Sequence, residues 1–160
     1  MGRTSISISS RIQSPLGLLR PGMWLPGVRN FHCHKESWLC DASEKERVTA
    51  VLESLKRVQQ DDDTNSFYDI HKVTDNFVRI FVFTFMEWLD IIEIEMKPSI
   101  MHVTAFSSGF LPLCIPFAAV INLTLFWIPF SDMGQNKRRV KALRERISLQ
   151  IEVTNVKKRV

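Results

Sequence analysis

The chain has 160 residues, 45% of them hydrophobic and 24% charged, with a formal net charge of +4. That length suits one domain, and that apolar content supports a buried core, which excludes an intrinsically disordered chain. Positive charge is concentrated at the ends: residues 1–35 carry five bases and no acid, 36–133 hold 15 acids against 7 bases, and 134–160 hold 9 bases against 2 acids; the basic balance is therefore no nucleic-acid footprint, and no nucleic-acid partner is expected.

The leader, residues 1–38, is rich in Ser, Arg, Gly and Pro, and its first 35 residues have no acid. An acid-free stretch with spaced arginines has the composition of an organellar transit peptide, mitochondrial ahead of plastid, with a disordered tail as the alternative. No apolar run of secretory length follows Arg3, and Ile6 breaks the myristoylation pattern begun by Gly2. His32, Cys33, His34 and Cys40 crowd into nine residues. A structural zinc site brings two separated ligand pairs, so no metal is expected. Cys33, Cys40 and Cys114 are too few for a disulfide framework, leaving a single Cys33–Cys40 bridge or free thiols.

A single domain is predicted over residues 39–151, with an apolar insertion at 110–129 and a basic tail at 152–160. Ser43 and Glu46 form a capping box, and Val48, Val51, Leu52, Leu55 and Val58 follow helical spacing to about Gln60. Asp61 to Ser66 reads as a solvated turn, since the glycine and distal glutamate of a calcium loop are missing. Strands follow at Phe67–Val73, Phe77–Thr84, Trp88–Met96 and Ile100–Ser107. The second is apolar on both sides and should be covered on both faces; the third alternates Ile92, Ile94, Met96 with Glu93, Glu95 and should have one wet face. The fold class is α+β: an antiparallel sheet of four or more strands with an N-terminal and a C-terminal helix packed on it. Glu87, Asp90, Glu93 and Glu95 read as solvated strand acids, and His71 and His102 as structural histidines, so no catalytic residue and no cofactor is assigned.

Val103 to Ser131 has no charged residue. Pro112, Pro116 and Pro129 interrupt it, and its longest proline-free run, 117–128, would reach about 18 Å as helix against roughly 30 Å of hydrocarbon. A buried insertion adding a strand at 120–128, a patch dipping into a bilayer and a kinked span all stay open. Phe110, Leu113, Phe117, Phe126 and Trp127 are the candidate membrane contacts, with membrane lipid or a membrane protein as partner. Ser131 and Asp132 offer caps for a last helix with an apolar stripe of Val140, Leu143, Ile147 and Ile151. Its bases Lys137, Arg138, Arg139, Lys141, Arg144 and Arg146 suit a solvated face or an anionic one.

Three stretches carry a resemblance: Ile100-Met101-His102-Val103, Ala105-Phe106-Ser107-Ser108-Gly109, and Phe130-Ser131-Asp132-Met133-Gly134-Gln135-Asn136-Lys137-Arg138-Arg139-Val140. Together with Asp90-Ile91-Ile92-Glu93 and Cys40-Asp41-Ala42-Ser43, they resemble the domain-of-unknown-function 1499 family over about residues 33–150. Thr104 and Ser108 stand where that family's pattern has arginines, and the apolar block looks like an insertion before the Ser-Asp turn. The resemblance implies a small α+β domain, often exported, organellar or membrane-associated, and implies no reaction. The expectation is a non-catalytic, membrane-associated organellar protein, with Ser131, Asp132, Asn136 and Arg139 as anion or ligand candidates. The alternatives are a soluble interaction domain with a buried insertion, and an enzyme using Asp90, Asp132 and Asn136.

Overall fold

Alternating apolar residues set the sheet. In a computed structural model, which describes residues 5–19, 33–128 and 132–156, β2 (Phe67–Thr74), β3 (Phe77–Phe83), β4 (Leu89–Lys97) and β5 (Ile100–Ser107) form a meander. Then β1 (Cys33–Leu39) pairs with β5, and β6 (Glu152–Val156) with the far side of β1. The order is β2-β3-β4-β5-β1-β6, with every neighbour antiparallel. The α+β class with terminal helices on an antiparallel sheet holds.

The domain is wider than the predicted 39–151, because 33–38 and 152–156 are sheet strands. The inward side chains of β1 are His34, Glu36 and Trp38, two of them polar, so the strand carries no apolar alternation. Glu36 is satisfied instead by Trp38 Nε1 at 2.7 Å, His34 Nε2 at 2.9 Å and Arg144 Nη1 at 2.6 Å. The strand also separates Cys33 from Cys40 by about 23 Å of extended chain, far beyond disulfide reach, and no bridge joins them.

Burial alone would raise the pKa of Glu36, but its bonds from His34 and Trp38 and the charge of Arg144 outweigh this and hold it below the usual carboxylate range. A depressed carboxylate contributes stability above its unfolded value, near 4.5, which is lost as pH falls through the lower folded value. Thermal melts from pH 7 to pH 2 are expected to show this fall, with a shallower one in Glu36→Gln; parallel curves would contradict it.

One face of the sheet carries the helices. The capping box forms as predicted and starts α2 (Glu44–Asp61), which buries Val48, Val51, Leu55 and Val58. The later α4 (Gln135–Arg146) buries Val140 and Leu143 and joins α2 where Ser54 Oγ donates to Leu143 O at 2.6 Å. Both pack on Val78, Ile80, Val82, Ile92, Ile94 and Val103.

The opposite face is divided. Near Phe81, Phe83, Leu89, Ile91 and Phe106 it is covered by Leu113, Ala118 and Ala119, with Ile6 and Leu18 alongside. Thus β3 is covered on both sides at this end. Farther along, Arg79 pairs with Glu93 at 2.7 Å and Ser37 meets His102 at 3.1 Å, giving the wet face expected of β4.

The strand that one reading placed at 120–128 does not form. Instead α3 (Ala118–Thr124) forms, followed by a turn. Asn122 explains the fold-back: its amide accepts from Leu111 N and donates to Leu111 O, both at 2.9 Å, so the insertion closes on itself. Seven residues of helix span about 10 Å, and no described helix is long and apolar enough to cross a membrane.

Candidate functional site

Two features gather at one end of the sheet, where β4 begins and β5 ends. The first is polar. Asp90 and Ser107 are cross-strand partners, and α4 lays Asn136 and Arg139 over them. Arg139 Nη1 donates to Asp90 Oδ2, and Asn136 Nδ2 donates to Ser107 Oγ at 3.0 Å. All four residues are buried, Asn136 completely. Asp132 sits outside them, accepting from Gly134 N at 3.0 Å and Asn136 N at 3.2 Å. It thereby closes the helix start, where Gly134 takes a φ of 74° that glycine adopts without strain.

Burial pushes the Arg139 guanidinium below its usual pKa, against the pull of Tyr68 and Asp62. Burial and Asp62 push the Tyr68 phenol up to about 12. Tyr68 therefore stays protonated at physiological pH, and its phenol cannot act as a proton carrier there. A depression of about 460 Å³ is lined by Asn65, Phe85, Met86, Glu87 and Cys114, and a second, of about 10 Å³, by Gly17, Ser108, Leu113 and Asn122 among others. Asp90, Asp132, Asn136 and Arg139 line neither. Of the sequence candidates, Asp132, Asn136 and Arg139 do come together, and their contacts fasten α4 to the sheet; Ser131 lies outside the described residues.

The basic face expected of α4 is largely neutralised. Arg139, Arg144 and Arg146 pair with Asp90, Glu36 and Asp61, and Lys141 with Glu145. Three of these acids lie on other elements, which spacing within the helix could not reveal.

The second feature is apolar. The β3–β4 loop, 84–88, is closed by Thr84 N to Trp88 O at 3.0 Å and Glu87 N to Thr84 O at 2.8 Å. Insertion and loop are locked together: Leu113 N donates to Glu87 O at 2.9 Å, and Trp88 Nε1 to Phe110 O at 2.8 Å. Phe117 is held at a φ of 62°, a left-handed conformation unusual for a bulky residue, and its ring is 76% exposed. Fifteen large apolar side chains are exposed among the described residues. All but Ile70 and Val73 lie in the N-terminal segment, this loop, the insertion or the start of α4.

Of the candidate membrane contacts, Phe117 and Trp127 are exposed, and Phe110 and Phe126 half-buried. Leu113 is a correction: it is 1% exposed, because its bond to Glu87 O turns the side chain into the second core. Missed altogether were Phe85, Met86 and Trp88, which continue the hydrophobic pattern of two strands and so look like strand ends. Glu87 was missed too: it is 4% exposed rather than solvated, and accepts from Ser7 N at 3.2 Å and from the hydroxyls of Ser7 and Ser10.

Compared with protein-family models, curated proteins and solved structures, the chain finds no match.

Proposed function

We propose that this protein is a non-catalytic, membrane-associated binding domain of an organelle, diverged from the family its motifs resemble. The supporting observation is the concentration of exposed apolar side chains at one end of the sheet, where Phe85, Met86, Phe117 and Trp127 project from segments locked by backbone bonds. A monomer in water gains nothing from such a patch, whereas an interface with lipid buries it, and Trp favours the headgroup boundary. The acid-free first 35 residues support an organellar address, mitochondrial ahead of plastid. The meeting of Asp90, Ser107, Asn136 and Arg139, all on the resembling motifs, supports the kinship.

The test is partition of the full chain with membranes. Phe117→Ser/Trp127→Ser removes two exposed rings without touching the core, and about a tenfold loss of vesicle pelleting is expected. Unchanged pelleting in a variant that melts like the parent would sink the proposal. Burial of Leu113 and Ala118 favours a second reading, an insertion serving a soluble protein-interaction domain. Release by salt or carbonate, with Trp127 untouched by a lipid-phase quencher, would select it.

A further inference from the structure

A surface helix ordinarily turns its apolar side inward and its polar side to water. Between Ile6 and Leu18, which pack on the second core, the N-terminal segment does the reverse. In α1 (Ile8–Gln13) and the 3-10 turn that follows (Ser14–Leu19), the buried side chains are Ser10, Gln13 and Ser14. Ile8, Ile12, Leu16 and Leu19, spaced four, four and three residues apart, are exposed, the first two by more than 70%.

The inward side is fixed by hydrogen bonds. Gln13 Nε2 donates to Leu113 O at 3.0 Å and Ile115 O at 2.9 Å, while its Oε1 accepts from Ala119 N at 2.9 Å. Ser9 Oγ donates to Leu113 O at 2.9 Å, and Ser7 and Ser10 hold the Glu87 carboxylate. Rolling the segment to bury its isoleucines would break these bonds and strand Gln13 and Glu87 among apolar neighbours. The apolar stripe is thus held outward, beside the part of the insertion that carries Ile115 and Phe117.

We infer that residues 5–19 form the second half of the lipid-contacting surface and dock it on an anionic bilayer, an inference that rests on the membrane reading above. Charge selects that occupant. Exposed Arg11 stands between Ile8 and Ile12, and residues 1–35 carry five bases with no acid, a composition drawn to anionic headgroups. An apolar stripe with an exposed arginine beside it suits an anionic bilayer interface; an apolar protein partner would have no need of the charge.

The experiment is flotation of the full chain with phosphatidylcholine vesicles and with equimolar phosphatidylcholine–phosphatidylglycerol vesicles. The parent is expected to float with the anionic vesicles. Ile8→Ser/Ile12→Ser, which alters two exposed side chains, is expected to lower the bound fraction about tenfold with its melting temperature unchanged. Arg11→Glu is expected to weaken anionic binding and leave neutral binding unaltered. If both N-terminal variants float like the parent while Phe117→Ser/Trp127→Ser does not, the N-terminal inference fails and the membrane reading stands. If the parent floats with neither vesicle, or forms concentration-dependent oligomers through this face instead, both fail.

Discussion

Arg139→Ala is expected to cost about 3–5 kcal/mol of folding stability, the loss that follows when one member of a buried ion pair is removed. Asp90 would be left buried without its guanidinium partner, and Asn136 one helical turn away would lose the clamp that holds it on Ser107. Asp90→Ala should cost a similar amount, since it leaves the cation uncompensated. The double variant Asp90→Leu/Arg139→Met should recover most of the loss, because apolar residues of similar size avoid the desolvation of both charges. Urea unfolding followed by tryptophan fluorescence measures all three. A cost under about 1 kcal/mol for either single variant would show the pair behaving as a surface salt bridge and would undo the structural role given to it. Near-additive losses in the double variant would do the same.

Gly109→Ala should destabilise by about 1–3 kcal/mol, for a steric reason. A Cβ at this position would meet the Asn122 side chain at 2.1 Å, inside any real contact distance, and Asn122 cannot retreat without releasing both bonds to Leu111. The cost measures how tightly the insertion closes on the end of β5. Asn122→Ala alone should also destabilise, since it leaves the Leu111 amide and carbonyl in a partly buried loop without their partner. The pair Gly109→Ala/Asn122→Ala should be less than additive, because the second change removes the atoms the first collides with. Thermal melts of the four proteins complete the cycle. Strict additivity would mean that glycine serves some other need at 109.

The strands of the meander were legible because their side chains alternate for reasons local to each strand. In β4, Ile92, Ile94 and Met96 face the helices while Glu93 and Glu95 face away. The capping box of α2 was equally readable, since its donor and acceptor lie three residues apart. β1 was not, because its inward face is polar and the charge that meets Glu36 there comes from Arg144, 108 positions later. The same holds for the candidate site. Asp132 and Asn136 could be placed near a helix start from spacing, but the fastening of α4 by Asn136 and Arg139 depends on Ser107 and Asp90 arriving from the sheet.

The insertion shows the division most clearly. Its apolar composition already implied that much of it would meet something other than water. Composition could not say which half meets the protein. Leu113, Ala118 and Ala119 are buried against Phe81, Phe83 and Phe106, while Phe117 and Trp127 face outward, a choice made by the Asn122 and Glu87 backbone contacts. The N-terminal segment was likewise readable as basic and acid-free, which its sequence states outright. That its serines and Gln13 turn inward and Ile8 and Ile12 outward depended on a buried carboxylate 77 residues away and on carbonyls 100 and 102 residues away. Sequence determined the four-strand meander, the α2 cap and the segregation of charge, because each rests on neighbours in the chain. Tertiary structure alone decided which apolar residues remain exposed, because that depends on which distant polar groups are available to hold the opposite side.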